Sequence, residues 1–159
     1  MAIAYIKNDL FKELNPNDAI MHVVNNINAW GAGFVISLAK HLPLTKQKYH
    51  LWFQGEDDIN APPALGEIQV IPGMIWQDGT VCCVNMCAQN NIVSQHNPRP
   101  LNYEALYICL QKVRDREILR DKQLVAPKFG AGLAGGSWNI IEAMINDVFK
   151  DRKVLIFSL

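Results

Sequence analysis

The 159-residue chain is 50% hydrophobic and 19% charged, with fifteen basic residues set against fifteen acidic ones. Such a balance excludes an intrinsically disordered chain and fits a globular domain long enough to bury a core without staples. It also supplies no bulk field to gather nucleic acid or membrane surface, so an anionic ligand must be held by local geometry.

Residues 2–6, "AIAYI", read as a short first strand. "AIMHVV" (19–24) reads as a buried strand with one histidine inside it. "GFVISLAKHL" (33–42) suits a helix that Pro43 terminates. In the segment 44–66 the first half is expected to be helical and the second half loop. "EIQVI" alternates and then meets Pro72, and "TVCCVNMC" is a further β-rich run; Asp78-Gly79 between them is a hairpin signal. Tyr103, Leu106, Leu110 and Val113 recur at helical spacing and predict a helix over about 102–117. "QLVAP" is a strand, Trp138, Ile141, Ile145 and Val148 mark another helix, and "KVLIF" is a final strand. Strands alternating with helices predict one α/β domain over residues 1–159, its mixed, largely parallel sheet covered on both faces.

No apolar run approaches the roughly 18 residues of a membrane span, and "MAIAYIKNDLF" lacks the order of a secretory signal. The four cysteines, Cys82, Cys83, Cys87 and Cys109, form no C-x-x-C pair, so buried reduced thiols and a cytoplasmic setting are expected and no metal site is.

Two glycine-rich loops carry the chemistry. "NNINAWGAGFV" places Gly31 and Gly33 before one helix, and "PKFGAGLAGGSW" places Gly130, Gly132, Gly135 and Gly136 before another. Each lies where a strand leads into a helix, the edge at which open α/β sheets bind ligands. Helix N-termini there offer free N–H groups to phosphate, and glycine lets the backbone approach. Taken singly, such glycines are equally explained by tight turns; two cradles on one edge suggest a ligand with more than one phosphate. Neither loop is followed by Lys-Ser or Lys-Thr, which excludes a P-loop. "GAGFVI" lacks the third glycine of the dinucleotide fingerprint, and "GAGLAG" is not followed by a ribose-binding acid.

Along nearly its whole length the chain resembles the macrodomains, the ADP-ribose-binding fold. "YIKNDLF" resembles the family's opening strand and turn, with Asn8 where a glycine is usual. "IMHVVNNINAWGAGFVISLAKHLP" is similar to the asparagine loop, glycine pair and first helix, and "LNYEALYICLQKV" to the central helix. "PKFGAGLAGGSWNIIEAMINDVF" resembles the loop and helix around the diphosphate and distal ribose. A histidine three residues before the asparagine, Trp30 before the glycine pair and Leu-Asn-Tyr at 101–103 resemble the branch of small ADP-ribose 1''-phosphate phosphatases of yeast and some phages.

The resemblance implies a three-layer α/β/α fold with a sheet of about six strands. It implies that Asp9, with Leu10 beside it, holds the adenine amino group, a role that suits an acceptor-only carboxylate. Gly31, Ala32 and Gly33 would meet the diphosphate; Gly130, Ala131, Gly132, Leu133 and Ala134 would wrap the rest of it and the distal ribose. Asn25 would bond that ribose or its 1''-substituent. His22 is the candidate for proton transfer in metal-free hydrolysis of the phosphomonoester, since its ordinary pKa suits acid–base work; a satisfied core histidine is the other reading of the same residue. The expected ligand is ADP-ribose or a derivative, with ADP-ribosylated macromolecules as further partners, no separate cofactor and a monomeric chain.

Two other functions share this pocket. Some macrodomains remove ADP-ribose from proteins or nucleic acids with a helix lysine and a loop aspartate. Lys40 lies near such a lysine, but Ala134 and Ser137 stand where a carboxylate is expected. Glu56, Asp57 or Asp58 would have to compensate, and the sequence does not place them. A non-catalytic module that reads or sequesters ADP-ribose is the third possibility.

Overall fold

The computed structural model describes residues 1–159. Its elements, in chain order, begin with β1 (Ile3–Lys7), α1 (Leu10–Glu13), β2 (Asp18–Asn25), α2 (Phe34–His41) and α3 (Leu44–Phe53). They continue with β3 (Ile68–Trp76), β4 (Gly79–Gln89), α4 (Tyr103–Asp115), β5 (Gln123–Pro127), α5 (Trp138–Val148) and β6 (Val154–Ser158). The strands form one six-stranded sheet in the order β1-β6-β5-β2-β4-β3. Every neighbouring pair is parallel except β3 with β4. The expected mixed, largely parallel sheet is therefore present.

Period-two alternation sorts the strand side chains into two cores. Ala19 and Met21 of β2 face the side covered by α4 and α5, where Leu106, Leu110, Ile141 and Ile145 complete a cluster of 26 buried residues. Ile20 and Val24 face α1, α2 and α3, where Leu10, Leu38, Tyr49 and Trp52 complete a cluster of 17. Adjacent Cys82 and Cys83 thus fall on opposite faces. All four thiols are free and buried. Burial pushes Cys82 up to about 11 and both Cys87 and Cys109 up to about 12. None is a ready nucleophile.

Local chemistry sets most boundaries. Asn102 caps α4, its Oδ1 accepting the Ala105 N–H at 2.9 Å. Asp9 caps the short α1, a helix that the sequence reads only as a turn, by accepting the Phe11 N–H at 3.0 Å. The first half of 44–66 is helical as expected, and the second half is loop.

Two expectations around the hairpin are corrected. β3 does not end at Pro72; it runs on to Trp76, with a register shift between Ile71 and Met74 that takes up Pro72 and Gly73 as a bulge. The hairpin turn is Gln77-Asp78, with Trp76 paired to Gly79. Gly79 belongs to the strand, where a Cβ would come within 2.7 Å of Pro16 Cβ. That glycine serves close packing rather than the turn.

Candidate functional site

The site exists because two neighbouring strands part company. β2 and β5 pair only from Asp18↔Gln123 to Ile20↔Val125. Beyond that point β2 continues beside β4 as far as Asn25, while Ala126 and Pro127 of β5 pair only with β6. The split opens a cleft of about 400 Å³ at the carboxyl edge of the sheet. His22, Val24 and Asn25 line it from β2, Pro127 and Lys128 from the end of β5. Both glycine loops close over it: Gly31, Ala32 and Gly33 on one side, Gly130, Gly132, Leu133 and Ala134 on the other. The loops are thus brought together.

Gly135 and Gly136 donate to the carbonyls of Gly132 and Gly130, at 3.0 and 2.8 Å, but the central amides of both loops are not spent in this way. The N–H groups of Gly31, Ala32, Gly33, Gly130, Ala131, Gly132, Leu133 and Ala134 donate to no backbone carbonyl in the turns and loops. Gly33 stands at the cap position before α2 and Ser137 at that before α5, in both cases without a side-chain cap bond. Such termini attract negative charge. Space distinguishes the glycines. A Cβ at Gly130 would lie 3.0 Å from Leu101 Cδ2, whereas one at Gly31 or Gly132 would meet nothing within 4 Å. Gly130 is required by the fold; Gly31 and Gly132 are not.

His22 is 2% exposed and sits in the cleft wall near Trp30 and Phe34. Its Nε2 bonds Asn85 Oδ1, and its Nδ1 is the one buried side-chain N or O atom without a partner. Burial pushes the imidazole down to about 4, with the Asn85 bond acting the other way, so it is neutral at pH 7. The ring is thus buried in the α2–α3 face with one nitrogen bonded and the other unpartnered.

Asn25 holds its own loop. Its Oδ1 accepts the N–H groups of Ile27 and Ala29, both at 3.1 Å, and the Tyr49 hydroxyl at 2.9 Å. Its Nδ2 donates to the Ala29 carbonyl at 2.7 Å, leaving one amide hydrogen for a ligand. Tyr49 and its anchoring bond went unnoticed in the sequence, where nothing distinguishes it from other helical aromatics. Lys128 was also passed over. It is the one permanently charged side chain in the cleft lining, and its place between a strand end and a glycine loop was the available signal.

Other sequence candidates fall outside the lining. Asp9 follows β1 at the same sheet edge, with Oδ1 engaged in capping α1; Leu10 is buried in the core. Ala131 packs toward the α4–α5 core. Lys40 is exposed on α2, and Glu56, Asp57 and Asp58 do not reach the cleft, which has no carboxylate in its lining. No group of three or more His, Cys, Asp or Glu side chains is placed to hold a metal. No helix is long and apolar enough to cross a membrane.

The architecture is that of solved macrodomains. A macrodomain protein from Streptomyces coelicolor superimposes with a TM-score of 0.76 and 26% identity, over 99% of each chain. A protein of unknown function from Bacteroides thetaiotaomicron gives 0.83 and 28%, over 100% of this chain and 99% of that one. Thermosipho africanus DarTG, solved in complex with ADP-ribose, gives 0.77 at 13% identity, over 98% of this chain and 41% of that chain. In sequence, an uncharacterized 17.5 kDa protein of Enterobacteria phage T4 is 24% identical across 98% of this chain and 96% of its own. No family model matches the sequence.

Proposed function

We propose that this protein binds ADP-ribose through its two glycine loops and hydrolyses ADP-ribose 1''-phosphate to ADP-ribose and phosphate. The observation that carries the reading is the convergence of unspent loop amides from both loops on one cleft, whose lining includes His22, its Nδ1 buried and unpartnered. The diphosphate lies against the amides of Gly31–Gly33 and Gly130–Ala134, and Lys128 adds the cationic charge. The distal ribose lies toward Asn25. Asp9, after β1 on the same edge of the sheet, takes the adenine amino group.

In the chemical step, His22 Nδ1 accepts a proton from a water whose oxygen bonds to phosphorus. The bond from phosphorus to the 1'' oxygen breaks, that oxygen takes a proton from solvent, and His22 returns its own. An approaching phosphate dianion favours the protonated imidazole and so raises its basicity. Loop amides stabilise the charge that grows on the phosphoryl oxygens.

Calorimetric titration with ADP-ribose, followed by a phosphate-release assay on the 1''-phosphate in chelator-treated buffer, tests both halves. Binding with phosphate release that His22→Ala abolishes is expected. Binding without release favours the second reading, a non-catalytic ADP-ribose module, for which the absence of a carboxylate in the lining speaks. Removal of ADP-ribose from macromolecules by a lysine–carboxylate pair draws no support from the exposed Lys40.

A further inference from the structure

His22 is the first rung of a buried polar ladder that crosses three strands. In the register of the sheet, His22 of β2 stands opposite Asn85 of β4, and Asn85 opposite Gln69 of β3. All three are buried, on the sheet face that α2 and α3 cover. Asn85 Nδ2 donates to Gln69 Oε1 at 2.9 Å. Gln69 Nε2 donates to the Lys48 carbonyl of α3 at 2.8 Å and to Asp57 Oδ2 at 3.0 Å. Asp57 is itself held by the N–H groups of Ile59 and Asn60, at 3.0 and 2.9 Å.

The direction of this chain is forced from its far end. A carbonyl and an ionised carboxylate only accept, so the amide NH₂ of Gln69 must face them and its oxygen must face Asn85. Asn85 must then present its NH₂ to Gln69 and its oxygen to His22. The imidazole consequently carries its single proton on Nε2, and the bare nitrogen is Nδ1. Asp57 is held in its ionised form: burial raises its carboxyl, but the combined hydrogen bonds from Asn60, Gln69 and Ile59 win and lower it. Cys83 Sγ also approaches Asn85 Oδ1, at 3.9 Å, as a weak donor and so agrees with that orientation. No charged neighbour acts on the His22 titration.

We propose that Asn85 and Gln69 are positioning residues that lock His22 as a hydrogen-bond acceptor at Nδ1, so that the cleft takes a donor, a ribose hydroxyl or a water, at that point. This deepens the ADP-ribose reading and rests on it for the identity of the donor, but not for the tautomer. The ladder commits His22 to removing a proton rather than supplying one first. It also gives a reason for three polar side chains in register within an otherwise apolar face: an unpartnered buried amide is costly, and each rung satisfies the next.

The test is nitrogen-15 NMR of the histidine rings at pH 7 in the free wild-type protein. A His22 spectrum with the proton on Nε2 is expected; a proton on Nδ1 overturns the proposal whatever the ligand. In Gln69→Met, Asn85 loses the partner that orients it, so His22 is expected to become a mixture of tautomers although residue 69 does not touch it. An unchanged single tautomer in that variant overturns the role of Gln69. ADP-ribose affinity should fall about ten-fold with it, the scale of one lost hydrogen bond. Adding ADP-ribose to the wild type should shift the Nδ1 resonance toward a hydrogen-bonded value, and binding without such a shift overturns the placement of a donor there. Failure of ADP-ribose to bind at all overturns the ligand reading instead, and the ladder is then judged by the free-protein spectra.

Discussion

Leu133 stands against Gly33 across the mouth of the cleft: a Cβ built on the glycine would lie 3.7 Å from Leu133 Cδ1. One residue precedes α5 and the other opens α2, so this contact ties the two glycine loops together. Leu133 is nevertheless 55% exposed, and core packing does not account for a leucine there. Replacing it with alanine should change stability by less than about 0.5 kcal/mol. The same change should weaken ADP-ribose binding about five-fold, the worth of roughly 1 kcal/mol of apolar contact. Thermal melts and calorimetry read the two effects separately; unaltered affinity would remove Leu133 from the binding surface.

The glycines divide into those the fold needs and those it does not. Gly130 has φ +78°, and a Cβ there would sit tightly against Leu101 and Ile141, at 3.0 and 3.1 Å, so Gly130→Ala should cost about 2 kcal/mol in denaturant unfolding. Gly31 has open space around it and no positive φ. Gly31→Val should leave stability within about 0.5 kcal/mol of wild type and reduce ADP-ribose affinity at least about ten-fold. A Gly31→Val protein that binds normally would mean that the ligand backbone does not approach there.

Asn25 and Tyr49 separate support from contact. Asn25→Ala strips the Ile27 and Ala29 N–H groups of their acceptor and leaves the Tyr49 hydroxyl only the backbone carbonyl of residue 25. It should cost about 2–3 kcal/mol and also abolish binding, because the glycine loop that follows loses its anchor. Tyr49→Phe removes only the donor and should cost about 1 kcal/mol with affinity lowered less than about five-fold. Equal losses of affinity in both variants would show that Asn25 acts only by holding the loop.

His22 makes stability depend on pH in a known direction. Its folded-state value, about 4, lies below the ordinary 6.5, so the unfolded chain binds the extra proton between those limits. Stability from this source is whole above pH 6.5 and is lost as pH falls toward 4, by on the order of 3 kcal/mol. Asp18 works in the opposite sense, since burial raises its carboxyl, while burial and then Lys46 lower His50 in the same sense as His22. The informative quantity is therefore the wild-type stability change from pH 7 to pH 4.5 minus that of His22→Gln, by urea unfolding. A difference near zero would mean that His22 is hydrated and ordinary.

Periodicity carried most of the architecture because each element is governed by its own residues. The apolar run from Ala19 to Val24, interrupted only by His22, placed β2, and the Leu106, Leu110, Val113 spacing placed α4. Both glycine loops were legible because they come as a pair at strand-to-helix junctions, where one alone is equally explained by a tight turn. What was hidden is relational. Nothing local says that Gly79 must be small for the sake of Pro16, or that Pro72 sits in a bulge rather than at a strand end. Nor does any motif join His22, Asn85, Gln69 and Asp57, which become neighbours only through the register of three strands. Lys128 was visible beside the second glycine loop but acquires meaning only once Pro127 is seen at the strand split.

The bulge at Pro72-Gly73 has a consequence for association. β3 is an outer strand of the sheet, its outward side bonded by the Asn60 side chain at Val70 but paired to no further strand, with Ile75 82% exposed. A straight margin of this kind invites another chain to extend the sheet. Here proline removes one donor from that margin and the kink breaks its line, so a visiting strand finds no continuous row of bonding groups. The irregularity acts as a guard against polymerisation on the flank farthest from β1.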